Sequence, residues 1–236
     1  MKSLLLVGLV VAGCHDEGYL QYSWDDRRVL CSNTVDDLTH DGPWDLIDSE
    51  LELASNRTSV ALLHAHEPGR TVSLQAVERL LDLADEYGLD YLTYRELDPD
   101  NQHRSGIALA FDDQYIDAWY ELRGLLAAHR ARVTFFVTRF YSRTDEERAK
   151  LAELAAEGHD VEAHSVDHLN ALDYVHDHGL DAYLTDEVLP SIQILRDAGY
   201  QPTSYAFPFG ASDEAIDRAV LEHVERVRVS PAACLD

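Results

Sequence analysis

The sequence predicts an α/β fold built on a mainly parallel sheet, either open or closed into a barrel. Between Val29 and Val229, short apolar runs alternate with longer amphipathic runs of helical period. Several apolar runs end in polar residues, and parallel α/β folds place their chemistry at the carboxyl ends of strands. With 236 residues, 46% of them hydrophobic, the chain can bury one substantial core. We therefore expect one domain of the size common for an enzyme.

The strands are predicted from short apolar runs, most clearly from 107–111, where five apolar residues precede two adjacent acids. The predicted strands, in order, are 29–31, 60–63, 91–94, 107–111, 133–137, 160–163, 204–207 and 227–229.

The helices are predicted from apolar spacing together with end signals. Gly88 is a C-cap for the second helix, and Thr144 followed by Glu147 forms a capping-box pattern at the start of the fourth. The predicted helices are 44–53, 72–87, 115–129, 144–156, 183–198 (interrupted by Pro190) and 213–223.

The N-terminus has the pattern of an exported lipoprotein. Lys2 precedes an apolar run over 4–11 that is too short to span a bilayer, and 11–14 resembles a bacterial lipobox ending at Cys14. We expect Cys14 to be lipidated and to hold the protein to the cell envelope, in the periplasm or at the cell surface. The alternative is an ordinary signal peptide with an incidental cysteine. The predicted divisions are a signal peptide over 1–13, a tether over 14–28 and a folded domain over 29–236.

The chain is strongly acidic. It has 19 Lys and Arg against 44 Asp and Glu, a formal net charge of −25. This charge opposes binding to nucleic acid and to anionic membrane surfaces. We expect no nucleic-acid partner, and membrane contact through the lipid anchor only.

Two histidines follow the predicted strand 160–163. His164 and His168 are four residues apart, so a helical turn there would put both imidazoles on one face, as a divalent metal requires. Asp113, at another strand end, is the best candidate for a third ligand. The alternative is a pair of surface histidines without a metal.

The acids that end the strand 107–111 should have different roles. Adjacent residues of a strand point to opposite sides. One of Asp112 and Asp113 can therefore bind the metal while the other acts as a general base. The alternative is an N-cap with a second acid in the first turn of the helix that begins near Tyr115.

Four segments together resemble the polysaccharide deacetylase family, also known as the NodB homology domain or carbohydrate esterase family 4. They are 111–113, 133–137, 158–168 and 205–210. Their order, separations and residue types agree with the family over 106 to about 229. The resemblance implies a distorted (β/α) barrel of seven to eight mainly parallel strands. It also implies a hydrolase that removes N- or O-linked acetyl groups from a polysaccharide.

The resemblance also implies roles for individual residues. Asp112 corresponds to the catalytic base, and the backbone N–H of Phe209 to the oxyanion donor. The corresponding metal ligands are Asp113, His164 and His168, and the implied cofactor is a divalent metal, with zinc expected.

One part of the family pattern is displaced. Leu62-Leu63-His64, a helix and a strand over 88–94 resemble the family's last segments, yet here they precede Asp112. We therefore predict a circular permutant, a cheap rearrangement because domain termini often lie close together. His64 then corresponds to the general acid, with His66 as a competitor. The alternative for both is a structural histidine.

Asp36 and Asp37 correspond on this reading to the family's aspartate motif near a tryptophan, although the spacing to Trp44 differs. The permutation also predicts that 227–229 and 29–31 are neighbours. Cys31 and Cys234 could then form a disulfide, which would stabilise the domain by about 4 to 5 kcal/mol.

Two residues depart from the family pattern. Ala206 stands where the family has an arginine that orients the catalytic base, and Gln114 replaces the usual glycine after the acid pair. The missing arginine supports an alternative function, a non-catalytic surface lipoprotein that keeps the fold and binds glycan.

Overall fold

A computed structural model of the chain describes residues 20–39 and 44–234. The predicted signal peptide, Cys14 and residues 15–19 lie outside the described residues. The strands are β1 (Gln21–Tyr22), β2 (Val29–Cys31), β3 (Asn33–Thr34), β4 (Val60–Ala65), β5 (Asp90–Tyr91), β6 (Gly106–Asp113), β7 (Thr134–Val137), β8 (Asp160–Ala163), β9 (Ser204–Ala206) and β10 (Arg226–Val229).

The helices surround this sheet. They are α1 (Trp44–Arg57), α2 (Leu74–Glu86), α3 (Ile116–Glu121), α4 (Arg123–Ala128), α5 (Asp145–Ala156), α6 (Ala171–His178), α7 (Leu180–Tyr183), α8 (Leu189–Asp197) and α9 (Glu214–Val220). No helix in the described ranges is long and apolar enough to cross a membrane.

The strands form one sheet that closes on itself. Its order is β1-β4-β6-β7-β8-β9-β10-β2, with β3 beside β4 and β5 beside β6. Every pairing is parallel except that of β1 with β4. Because β2 and β3 follow one another, the segment 29–34 joins β10 on one side to β4 on the other. This confirms the predicted distorted (β/α) barrel.

Two hydrophobic cores explain why the strands are continuously apolar. One lies between the sheet and the surrounding helices and includes Leu109, Phe111 and Phe135. The other fills the barrel and includes Ala108, Ala110 and Phe136. Because β6 contributes alternate residues to both cores, all but the last of its residues are buried.

The predicted tether ends too late in the chain. Within it, β1 pairs with β4, and Tyr22 and Trp24 are buried in the core inside the barrel. The Arg28 guanidinium donates hydrogen bonds to backbone carbonyls that follow α9, including Leu221 at 2.6 Å and Val224 at 2.7 Å. Residues 20–28 therefore belong to the folded domain, because their aromatic side chains complete its interior.

Two predicted elements are also shorter or less regular. The predicted strand 91–94 ends at Tyr91, because Thr93 and Glu96 form a capping box that starts a 3₁₀ turn. The predicted helix 183–198 contains a π-helical turn, Leu184–Val188, that ends two residues before Pro190.

The two ends of the described domain lie together. β10 pairs with β2 in parallel register, with Val229 opposite Cys31, as the permutation predicts. The structure joins Cys31 to Cys234 in a disulfide, with 6.3 Å between their Cα atoms. The circular permutation itself stays a prediction.

Candidate active site

The candidate site lies at the carboxyl ends of the barrel strands. Asp112 and Asp113 end β6, His164 follows β8, and Phe209 follows β9. A cavity of about 400 Å³ opens beside them. Its lining includes Asp36, His64, His66, Asp112, Phe209 and Arg228. The candidate catalytic and metal-binding residues predicted from the sequence therefore all lie at one end of the barrel.

Asp113, His164 and His168 converge to form the metal triad. Asp113 Oδ1 lies 3.5 Å from His164 Nε2 and 3.0 Å from His168 Nε2. One ligand atom from each residue lies within 4.8 Å of the others. The Nδ1–H of His164 donates to the carbonyl of Ala206 at 2.8 Å, so Nε2 is the ring nitrogen left to bind a cation in the triad.

The chemistry of these donors fits a divalent cation. Asp113 Oδ1 is buried and makes no well-aligned hydrogen bond within the described residues, although the two imidazole nitrogens lie beside it. Burial raises the pKa of Asp113, but the two neighbouring imidazoles outweigh it and hold the pKa well below its usual range. Two imidazole nitrogens and one carboxylate oxygen are a donor set that binds zinc with a position left open. The triad could therefore hold such a metal.

A second group of potential ligands fits a metal poorly. His64, His66 and Asp112 also place ligand atoms within 4.8 Å of one another. However, the Arg228 guanidinium already lies 2.7 Å from Asp112 Oδ2. A cation placed there would face this fixed positive charge, so the metal triad is the better metal site.

The loop after β8 does not bring the two histidines together as the sequence predicted. The four-residue spacing fits one turn of helix, but residues 164–168 are not helical. Instead Ser165 and His168 have left-handed backbone angles, with φ values of 62° and 61°. The Ser165 hydroxyl accepts the His168 N–H at 2.9 Å. This tight loop returns His168 to the side of His164.

Arg228 pairs with the predicted catalytic base. Asp112 is 2% exposed, and its Oδ2 forms an ion pair with Arg228 Nη2 at 2.7 Å. Burial raises the pKa of Asp112, whereas the charge of Arg228 leads the effects that bring it below its usual value. Asp112 is therefore a buried carboxylate that stays ionised.

This pair corrects the expectation that Asp112 lacks an arginine partner. Ala206 does occupy the family's arginine position, but Arg228 lies directly opposite it on the neighbouring strand. Parallel partners in register point to the same side of the sheet. The Arg228 side chain therefore reaches Asp112 from β10, the strand next to the one that carries Ala206. A charged residue between Val227 and Val229 in a buried strand was a signal for this role.

His64, which lies in β4, and His66, which directly follows β4, have different surroundings. His64 Nδ1 is hydrogen-bonded to the Ser32 hydroxyl at 2.8 Å. Burial, and then the positive charge of Arg228, hold the pKa of His64 well below 6.5. His66 Nδ1 instead pairs with the carboxylate of Asp36. Burial lowers the pKa of His66, but the bond to Asp36 outweighs it and raises the pKa to about 9.

Phe209 is placed for its predicted role by an unusual backbone conformation. Its φ is 58°, its side chain is 67% exposed, and its ring lies 4.8 Å from that of His168. Its backbone N–H has no acceptor among the described residues. Asp113, with a φ of 86°, Ser165 and His168 share such positive angles, and strained residues of this kind cluster at functional sites.

Comparisons with known proteins agree with this geometry. A family model described as polysaccharide deacetylase matches residues 100–226, more than half of the chain. No curated protein matches the chain. Among solved structures, the deacetylase PplD of Streptococcus pyogenes, in complex with acetate, is 15% identical with a TM-score of 0.55, covering 75% of this chain and 95% of PplD.

The structure of IcaB from Ammonifex degensii is also similar. It is 17% identical with a TM-score of 0.58, and the match covers 75% of this chain and 94% of IcaB. At these identities the structural matches show a shared fold, and the family model shows the relationship. The chain therefore belongs to the polysaccharide deacetylase family, carbohydrate esterases that share the NodB barrel.

Proposed function

We propose that this protein is a metal-dependent hydrolase that removes N- or O-linked acetyl groups from a polysaccharide. The observation that carries the proposal is the metal triad of Asp113, His164 and His168 next to Asp112, a buried carboxylate paired with Arg228. A metal site, a separate general base and a free backbone donor are the groups that acetyl hydrolysis needs.

The residues around the triad divide the reaction between them. A divalent cation held by the triad would polarise the acetyl carbonyl. Asp112 takes a proton from the water whose oxygen attacks the carbonyl carbon, while Arg228 keeps the carboxylate ionised and oriented. The Phe209 N–H donates to the oxygen that gains negative charge. The bond to the sugar nitrogen or oxygen then breaks, and acetate and the free amine or hydroxyl are released.

We propose His66 as the general acid that protonates the leaving sugar atom. A general acid must carry a proton at the working pH, and the ion pair with Asp36 keeps His66 protonated. His64, the residue favoured from the sequence, is half-buried beside Arg228, and burial and this positive charge both disfavour its charged form. His64 instead supports the site through its bond to Ser32.

Asp36→Asn should move the alkaline limb of the pH–activity profile to lower pH by about one to two units. In the wild type the pKa of His66 is raised to about 9, so the acid is protonated below that pH and is lost above it. Without the Asp36 charge, burial lowers this pKa. The profile of kcat/KM against pH measures the change.

Asp37→Asn is the matched control, because Asp37 caps α2 through Ser73 rather than contacting His66. Its alkaline limb should stay where it is in the wild type. An unmoved alkaline limb in Asp36→Asn would contradict the role proposed for His66.

We propose zinc as the metal, because nitrogen donors from two histidines and one carboxylate oxygen are typical of catalytic zinc sites. The substrate class is an acetylated polysaccharide of the cell envelope or the environment. Metal analysis of the purified protein, combined with acetate release from a panel of acetylated glycans, tests both proposals. A metal-free protein that releases no acetate would refute them.

The alternative of a non-catalytic glycan-binding protein loses its main support. It depended on the missing arginine at Ala206, and Arg228 supplies that charge to Asp112. Acetate release from small esters alone, without activity on any glycan, would instead indicate a hydrolase for other substrates.

We also propose that the protein is exported and held to the cell envelope by a lipid on Cys14. The disulfide between Cys31 and Cys234 supports an oxidising compartment. Cys14→Ser should release the protein from the membrane fraction of the expressing cells into the soluble fraction. Equal membrane retention of the variant and the wild type would contradict this anchor.

A further inference from the structure

We infer that Glu187 is a positioning residue that holds the loop carrying His164 and His168 in the shape that metal binding requires. The inference rests on the proposed function, because it presupposes that the metal triad binds a cation.

The loop needs support from its surroundings. Ser165 and His168 both have left-handed backbone angles, which persist only where neighbouring groups hold them. One side of the loop is held by the segment after β7, where the Arg139 N–H donates to the Val166 carbonyl at 2.9 Å. The next backbone donor, the N–H of Asp167, needs an acceptor from elsewhere.

Glu187 supplies that acceptor. Its Oε2 accepts the Asp167 N–H at 2.9 Å, and its side chain is 2% exposed. Burial raises the pKa of Glu187, and the hydrogen bonds from Asp167 and Ser165 oppose that rise. The carboxylate thus contacts the loop at residues that lie between the two histidine ligands.

The local sequence explains why a glutamate from this helix reaches the loop. Pro190 has no N–H to donate to the Asp186 carbonyl, and its ring crowds that carbonyl, so a regular α-helix cannot continue there. The chain instead forms the π-helical turn, in which the Leu189 N–H bonds to the Leu184 carbonyl. Such turns insert one residue into a helix and often occur at functional sites.

The π-helical turn decides which side chains face inward. Glu187 and Val188 are buried, whereas Thr185 and Asp186 in the same turn are exposed. The buried carboxylate has no role in the acetyl hydrolysis described above. Its position is explained by the loop that it contacts.

The test measures the zinc affinity of the full chain by competition with a chromogenic chelator. Glu187→Ala would also open a cavity, so the informative pair is Glu187→Gln and Glu187→Met, which have similar length. The Gln carbonyl can still accept the Asp167 N–H, and Met cannot. Glu187→Met should weaken zinc binding about 10-fold or more, while Glu187→Gln should stay within about threefold of the wild type.

Asp186→Asn is the control for removing a carboxylate from the same turn, and it should bind zinc like the wild type. Circular dichroism and thermal unfolding of the metal-free variants establish that each is folded. Wild-type affinity in Glu187→Met, or equal weakening in both Glu187 variants, would overturn the inference. Failure of the wild type itself to bind zinc would count against the proposed function instead.

Discussion

Asp112→Asn is expected to keep the metal and to lower kcat by about 10²- to 10⁴-fold, the usual contribution of a general base. The amide cannot take a proton from the attacking water. Its oxygen can still contact the Arg228 guanidinium, which lies 2.7 Å from Asp112 Oδ2, so the site should keep its shape. Metal should remain, because Asp112 is not one of the three residues of the metal triad.

Asp113→Ala and His164→Ala should instead lose metal and activity together. Each removes one of three convergent donors, and the two that remain hold a divalent ion weakly. Elemental analysis gives the metal content, and acetate release from an acetylated glycan gives the turnover.

His176→Ala is the control for these variants, since His176 has an 86% exposed side chain and no contact with the triad. It should match the wild type in both measurements. Equal metal loss in Asp112→Asn and Asp113→Ala would contradict the division of roles between the adjacent acids.

The features that could be predicted from the sequence are those that depend on residues close together in the chain. Buried parallel strands appear as continuous apolar runs, and the polar residues at their ends mark one edge of the sheet. For this reason the sequence predicts that Asp112, Asp113, His164 and His168 lie at one end of a barrel, where the structure has them. The pairing of β2 with β10 follows from the order of the motifs.

The features that could not be predicted depend on register and loop conformation. Arg228 meets Asp112 only because β10 aligns it with Ala206, and strand register is not visible in a single sequence. The partnership of His66 with Asp36 is likewise a contact between distant segments. The spacing of His164 and His168 suggests a helix, but left-handed residues bring the two side chains together instead.

Arg228→Met is expected to raise the pKa of Asp112 and to move the acidic limb of the pH–activity profile to higher pH. Burial raises this pKa, and Arg228 contributes the largest opposing effect. At a pH below the new pKa, each unit by which the pKa rises lowers the ionised fraction of Asp112 about tenfold. The pH dependence of kcat/KM measures the change.

The same substitution should also make stability depend differently on pH. In the wild type the lowered pKa of Asp112 contributes stability above the unfolded value of about 4, and this is lost as the pH falls through the folded pKa. In Arg228→Met the pKa of Asp112 is higher in the folded than in the unfolded state. Ionisation of Asp112 then opposes folding, so the variant is destabilised increasingly as the pH rises. An unpaired buried charge costs about 3 to 5 kcal/mol, measurable by urea unfolding at pH 5 and pH 8.

Arg226→Met is the control that separates the effect of Arg228 on the pKa of Asp112 from the effect of removing a buried arginine. Arg226 is 5% exposed on the same strand, and it lies 3.5 Å from Asp98 rather than beside Asp112. It should lose stability and keep the wild-type acidic limb. An acidic limb that stays in place in Arg228→Met would show that Arg228 does not set the charge of the base.

The double variant Ala206→Arg with Arg228→Met tests whether the position of the guanidinium or only its presence matters. Ala206 and Arg228 are register partners on neighbouring strands, so an arginine at either position starts from the same side of the sheet. The acidic limb of the double variant should lie at a lower pH than that of Arg228→Met, between the single variant and the wild type. If it lies where that of Arg228→Met lies, the guanidinium must approach Asp112 from β10, where Arg228 lies 2.7 Å from Asp112 Oδ2.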